Sequence, residues 1–265
     1  MEILGYFFAL LIGISLGLVG AGGSILAVPV LAYCFGLDEQ TTTAYSLFVV
    51  GGSALLGGVK QNNKKNVDWR IAVIFGIPAI LGVWLVRHFV VPVLPEHIFA
   101  LSGFIFTRRM VMFGLFAILM FLAASSMLKK QKIGVSEEIR EQSFNYPLIL
   151  LEGLLVGGIT GFVGAGGGFL IIPALIFLTK IEIKKAIGTS LIIIAIKSLF
   201  GFFLGDALIL QIDWRFLMSF TSLAFVGIFV GTHISKFVDG TKLKKAFGYF
   251  IIVMAVFIFI TEFLQ

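Results

Sequence analysis

The sequence predicts an all-α membrane protein of about ten transmembrane helices in two inverted five-helix repeats. Three observations carry that prediction: an apolar composition, a glycine-rich break that occurs twice, and landmarks that recur at a constant spacing. Of the 265 residues, 59% are hydrophobic and 13% charged, against about 25% charged in soluble domains. Mean hydropathy is +1.08, and no polar stretch is long enough to fold as a second, soluble domain. The breaks are Gly20-Ala21-Gly22-Gly23-Ser24 and Gly164-Ala165-Gly166-Gly167-Gly168, 144 residues apart. Pro29 and Pro173 keep that offset, as do Ser46-Leu47 and Ser190-Leu191, while Asp68-Trp69-Arg70 recurs as Asp213-Trp214-Arg215 at 145.

Apolar runs place helices at 3–19, 24–36, 41–59, 70–91 and 110–128, then at 147–163, 168–179, 186–204, 214–235 and 245–263. The first run has no basic leader and no small-residue cleavage site, so it reads as a span and not as a removed signal peptide. Glycine-rich stretches cannot continue a stable helix, so each break interrupts one. Runs 24–36 and 168–179 have 13 and 12 residues, roughly 20 and 18 Å of helix. Neither crosses a bilayer core of about 30 Å, so each hairpin turn is expected below the membrane surface. Phe113-Gly114 matches Phe247-Gly248 at an offset of 134, because residues 92–109 are extra in the first half. The apolar run 97–106 within them is expected as a short surface or re-entrant helix. The domains are therefore 1–128 and 146–265, joined by a charged linker, 129–145.

An odd number of spans per half turns the second half over. The basic residues test this. Alternating loops put fifteen of the 20 lysines and arginines on one side, among them Lys60, Lys64, Lys129, Lys184 and Lys245, and four on the other: Arg87, Arg108, Arg109 and Arg215. Positive residues stay cytoplasmic, which puts the linker inside the cell and both termini outside, in the plasma (inner) membrane.

The twentieth basic residue, Lys197, lies inside the apolar run 192–204. A lysine there costs at least about 2.5–3.5 kcal/mol and normally faces a cavity or a partner. It shares a helix face with Ser190 and Gly201, and its counterpart by offset is the neutral Ser53. Two readings compete: a substrate-facing charge, or a structural pair with Asp206 or Glu152. Glu152 could alternatively couple proton movement. Helix N-termini bind anions through unpaired N–H groups, and Gly22, Gly23 and Ser24 precede one, Gly166, Gly167 and Gly168 the other. The competing reading is close helix crossing, which accounts for Gly13, Gly17, Gly57 and Gly58. Hydroxyls of Thr43, Ser46, Thr189 and Ser190 can donate to an oxyanion or bond back to their own helices. The candidate substrate site is thus Gly22, Gly23, Ser24, Ser46, Gly166, Gly167, Gly168, Thr189, Ser190 and Lys197.

The paired breaks, the proline-bearing short helices, the Ser-Leu starts of the third helices and the two Asp-Trp-Arg loops together resemble the sulfite exporter TauE/SafE family, over nearly the whole chain. The resemblance implies export or uptake of sulfite, sulfonates or related small organic anions, with export the expected direction. The residues themselves exclude an ATP-driven pump, a Ser/His/Asp hydrolase and a zinc peptidase, for want of the motifs. No enzyme activity and no cofactor or metal is expected. The expected partners are a small anionic substrate and the lipid bilayer, not nucleic acid, with a homodimer left open. The alternative function is a non-transporting anion-binding membrane protein, a sensor or assembly factor.

Overall fold

A computed structural model describes residues 2–101, 104–128, 146–179, 181–234 and 240–264. The linker 129–145 lies outside them. Ten α-helices are described: α1 Glu2–Val19, α2 Ala27–Phe35, α3 Glu39–Asn63, α4 Trp69–Leu85, α5 Arg108–Leu128, α6 Tyr146–Val163, α7 Gly168–Thr179, α8 Ile183–Leu204, α9 Trp214–Ile234 and α10 Gly240–Phe263. Among the described residues five stretches are long and apolar enough to cross a membrane: Glu39–Asn63, Trp69–Val90, Arg108–Ser125, Lys184–Leu208 and Trp214–Ile234. Helices α2 and α7, of 9 and 12 residues, stay short of the roughly 20 that a crossing needs.

The Asp-Trp-Arg repeat is a pair of helix caps. The Asp68 carboxylate accepts from the Ile71 N–H at 3.1 Å, and the Asp213 carboxylate from the Phe216 N–H at 3.1 Å. Each satisfies one of the donors left open at a helix start. Asp38 caps α3 in the same way, accepting from the N–H groups of Gln40 and Thr41. Trp69 and Trp214 are 52% and 43% exposed beside their caps, where an amphipathic ring anchors at a membrane surface. Along α4, Val73, Ile77, Leu81 and Leu85 are all exposed at a spacing of four. That apolar stripe is a lipid-facing surface.

Packing follows the repeat. Counterparts by offset are α1 and α6, α2 and α7, α3 and α8, α4 and α9, α5 and α10. Helix α1 packs on α9 and its counterpart α6 on α4; α3 packs on α8 and α5 on α10. The pattern maps onto itself when the halves are exchanged. Glycines sew the outer pairs. A Cβ at Gly13 would meet the backbone of Ala224, one at Gly17 that of Ile228, and one at Gly157 that of Ala79. Backbones touching this closely gain the van der Waals contact that drives helix association in lipid. Helices α3 and α8 form the centre: their spanning stretches are 83% and 67% buried, against 44% and 39% for α4 and α9.

Helix ends sort into two groups. At the end rich in lysines, the Asp68 N–H donates to Thr189 Oγ1 at 2.9 Å, and Lys60 Nζ donates to Thr232 Oγ1 at 2.6 Å. At the opposite end, the Asp213 N–H donates to the Tyr45 hydroxyl at 2.7 Å, Arg108 pairs with Glu39 at 2.6 Å and Arg109 with Glu262 at 3.0 Å. Tyr45 and Thr189 are 144 apart, Asp68 and Asp213 145, so the two loop contacts are one interaction made twice.

Two expectations are corrected. The run 97–106 is not a helix: His97–Leu101 (β1) pairs antiparallel with Phe104–Thr107 (β2). Its Ile and Phe content suits a pleated surface, and ten residues with an internal Ser-Gly step favour two short strands over a helix. The second helix also begins later than residue 24, because Gly20–Leu26 is wound as a 3₁₀ helix. Seven residues is long for that winding, which is usually confined to three or four and marks hinges or strained sequences.

Candidate functional site

The two breaks are built differently. The first is the 3₁₀ segment Gly20–Leu26, which packs against α1, α3, α7 and α8. Gly22 lies within that winding, and Gly23 and Ser24 are buried. There is no room for a Cβ on Gly23, which would meet the backbone of Ser15 and Leu16. The Ser15 hydroxyl donates to the carbonyls of Ile12 at 2.8 Å and Gly23 at 3.4 Å, tying the break to the helix before it. The second break turns sharply. Gly164, Gly166 and Gly167 all have left-handed φ, of 74°, 65° and 73°, a region glycine enters without the Cβ penalty. A Cβ there would meet Thr43 from Gly164, Val50 from Gly166 and Thr160 from Gly167. Gly168 then begins α7, buried.

Lys197 sits at this second break. Its side chain is completely buried, and Nζ donates to Thr160 Oγ1 at 2.6 Å. Thr160 in turn donates to the Gly157 carbonyl at 3.2 Å and carries the methyl against which Gly167 packs. Among the described residues no carboxylate is within ion-pair distance of Lys197. Asp206, weighed from sequence as its partner, is instead paired with Arg87 at 3.1 Å. The site therefore holds a buried basic group answered by no described acid. In a low-dielectric interior that is a costly group, which a negative ligand would compensate.

The remaining candidates divide. Ser46 is fully buried and its hydroxyl has no hydrogen-bond partner among the described residues, as is the case for Ser53 and Ser198. These three polar atoms lie on the central helices α3 and α8. Thr189 and Ser190 are used elsewhere: Thr189 accepts from the Asp68 N–H, and Ser190 donates back to the Ile187 carbonyl at 2.9 Å. Thr43 also bonds back, to the carbonyl of Glu39 at 2.8 Å. So the fold joins Gly167, Thr160 and Lys197 directly, and leaves Thr189 and Ser190 occupied towards the lysine-rich end.

Three residues that carry the geometry do not stand out in the sequence. Thr160 is a hydroxyl within an apolar run, where bonding back to the helix is the ordinary reading; its position just before Gly161 is the available signal. Ser198 adjoins Lys197. Arg87, near the end of the run 70–91 and counted with the loop that follows it, is fully buried on a π-helical turn, Val86–Val90. Among the described residues no group of three His, Cys, Asp or Glu side chains could hold a metal ion.

Two cavities flank the centre. One, of about 340 Å³, is lined by Tyr6, Phe35, Asp213, Arg215, Phe216 and Ser219. The other, of about 160 Å³, lies at the lysine-rich end. Lys197 is not among the described lining residues of either.

Long apolar helices and a lipid-facing stripe mark a polytopic membrane protein, with a buried lysine beside a broken helix at its centre. The chain belongs to the sulfite exporter TauE/SafE family, whose model matches residues 6–258. It is 31% identical over 252 residues to a "Probable membrane transporter protein" of Xylella fastidiosa, covering 94% of this chain and 91% of that protein. A probable membrane transporter protein of Methanocaldococcus jannaschii is 34% identical over 117 residues, 42% of this chain and 43% of that protein. One from Haemophilus influenzae is 25% identical over 273 residues, at 94% and 95% coverage. No solved structure matches the chain.

Proposed function

We propose that the protein carries a small oxyanion across the plasma membrane by alternating access, with sulfite or a short sulfonate as the substrate class and export as the direction. The observation that carries this reading is Lys197: a fully buried ammonium, bonded to the Thr160 hydroxyl and faced by no described carboxylate, beside a break of left-handed glycines. The anion would be held between the breaks, by Lys197, Ser46, the Gly22–Ser24 segment and the Gly166–Gly168 segment. Thr189 and Ser190 would join it by exchanging their present partners. The two halves would lie inverted in the bilayer with both termini outside, as the lysine distribution indicates. The protein would act as a carrier and not as an enzyme.

The family match supports the transporter class, and the family description motivates the substrate class. The test is a panel of sulfite, thiosulfate, sulfate, methanesulfonate and acetate, measured by thermal shift on the purified protein and by flux into vesicles. Stabilisation and flux with sulfite or the sulfonate are expected. Binding without flux would establish the sensor reading instead, and neither binding nor flux with any sulfur oxyanion would remove the substrate class.

A further inference from the structure

Helices α3 and α8 cross antiparallel at the centre, and glycine contacts give their register. A Cβ at Gly51 would meet Leu199, and one at Gly58 would meet Ile192. Two residues on from Gly51 and two back from Leu199, Ser53 comes opposite Lys197. Five back from Gly58 and five on from Ile192 lead to the same pair. Both side chains are completely buried. Their neighbours in the chain turn elsewhere: a Cβ at Gly52 would meet Phe225 and Thr221 of α9, and Ile196 is 38% exposed.

This facing pair has a particular place in the repeat. Ser53 and Lys197 are counterparts, 144 residues apart. Around them one contact is made twice: a Cβ at Gly57 would meet Leu191, and one at Gly201 would meet Leu47, again at an offset of 144. Exchanging the halves takes Ser53 to Lys197 and Lys197 to Ser53, so each half meets the other here with the same position. A binding site built away from this point would recur in the other half, and a single lysine could serve only one of the two copies. A site at this point occurs once, and one lysine serves both halves. A second lysine facing the first would add like-charge repulsion in a low-dielectric interior. Instead the facing residue is a hydroxyl with no hydrogen-bond partner among the described residues. An O–H buried without an acceptor is costly. A negatively charged oxygen between the two helices would answer both the hydroxyl and the ammonium.

We propose that Ser53 is a substrate-binding residue, which donates its O–H to the same oxyanion that Lys197 neutralises from the facing helix. This assignment rests on the transporter reading above and places its anion where the two halves meet, between α3 and α8. It has a consequence that a purely structural lysine does not share. Ser53→Lys with Lys197→Ser moves the charge to the counterpart position, and the anion should still be held.

The test is the affinity for sulfite or methanesulfonate, whichever wild type binds more tightly, titrated by thermal shift on the purified protein. The variants are Ser53→Ala, Lys197→Ser and the exchanged Ser53→Lys/Lys197→Ser. Each hydrogen bond to a charged group is worth about tenfold in affinity. Ser53→Ala should raise the half-saturating concentration about tenfold. Its unfolding temperature without the anion should not fall, because the hydroxyl removed has no described partner to lose. Unchanged affinity, or a loss of affinity matched by a lower unfolding temperature, overturns the assignment. Lys197→Ser should weaken binding about tenfold or more, and the exchanged variant should regain about tenfold of that loss. An exchanged variant that folds and binds no better than Lys197→Ser overturns the assignment; if it does not fold, Ser53→Ala decides. Absence of wild-type binding and flux for both anions defeats the transporter reading, and this assignment with it. Wild-type binding and flux together with full affinity in Ser53→Ala defeat this assignment alone.

Discussion

Lys197 and Arg87 are both fully buried cations, and they differ in what answers their charge. Arg87 has Asp206; Lys197 has a hydroxyl. Their variants should therefore behave in opposite ways. Arg87→Met strands a buried carboxylate and is expected to cost about 3–5 kcal/mol, while adding Asp206→Asn should recover most of it. Thermal unfolding of Arg87→Met, Asp206→Asn and the double variant measures this, and additive losses would contradict a coupled pair. Lys197→Met removes a charge and keeps the volume. The empty protein should be no less stable, whereas anion affinity should fall about tenfold or more. A variant that loses stability and keeps its affinity would make Lys197 a structural charge. Lys197 is legible in the sequence because it is the one charge deep in an apolar run. Its acid-pair alternative fails at Asp206 because Arg87, from the other half, occupies that carboxylate. Such a pairing spans 119 residues and leaves no local pattern. Thr160 is hidden for a similar reason: a lone threonine in a membrane helix looks the same whether it bonds only its own carbonyl or also takes up an ammonium from α8.

The two breaks are legible as elements because glycine clusters interrupt apolar periodicity, but their conformations are not. Both contain the same Gly-Ala-Gly-Gly core, yet one is wound 3₁₀ and the other turns through left-handed glycines. What decides is the surface each break meets, and only the fold supplies it. Gly166 and Gly36 separate backbone from packing effects, since both have φ of 65° and only Gly166 has a neighbour in the way, Val50. Gly36→Ala should cost roughly the 1–2 kcal/mol of a left-handed side chain. Gly166→Ala should cost clearly more, because α3 must also shift. Equal losses in thermal unfolding would mean the break is not packed as described. The β1–β2 hairpin escapes hydropathy because a ten-residue apolar run fits a short helix or two strands equally well, and β-branched and aromatic content has to arbitrate.

At the scale of the molecule, the repeat explains the packing. Exchanging the halves maps α1–α9 onto α6–α4 and leaves the central α3–α8 and peripheral α5–α10 pairs in place. The sequence carries this through its offsets, since landmarks at 144 and 145 fall on contacts made twice. An inverted arrangement has a direct consequence for topology. In a Cys34→Ser background, thiols at the counterpart positions Asp38→Cys and Glu182→Cys, 144 residues apart at the starts of α3 and α8, should react with an impermeant reagent from opposite sides of the membrane, and labelling from one side would contradict the inversion. The central claim is that a small anion crosses by exchanging access at one buried site. Counterflow measures that most directly: vesicles loaded with unlabelled sulfite are diluted into a trace of labelled sulfite. A carrier accumulates label transiently above equilibrium, and Lys197→Met should abolish the overshoot. Label that only equilibrates, or does not enter although sulfite binds, would contradict the account.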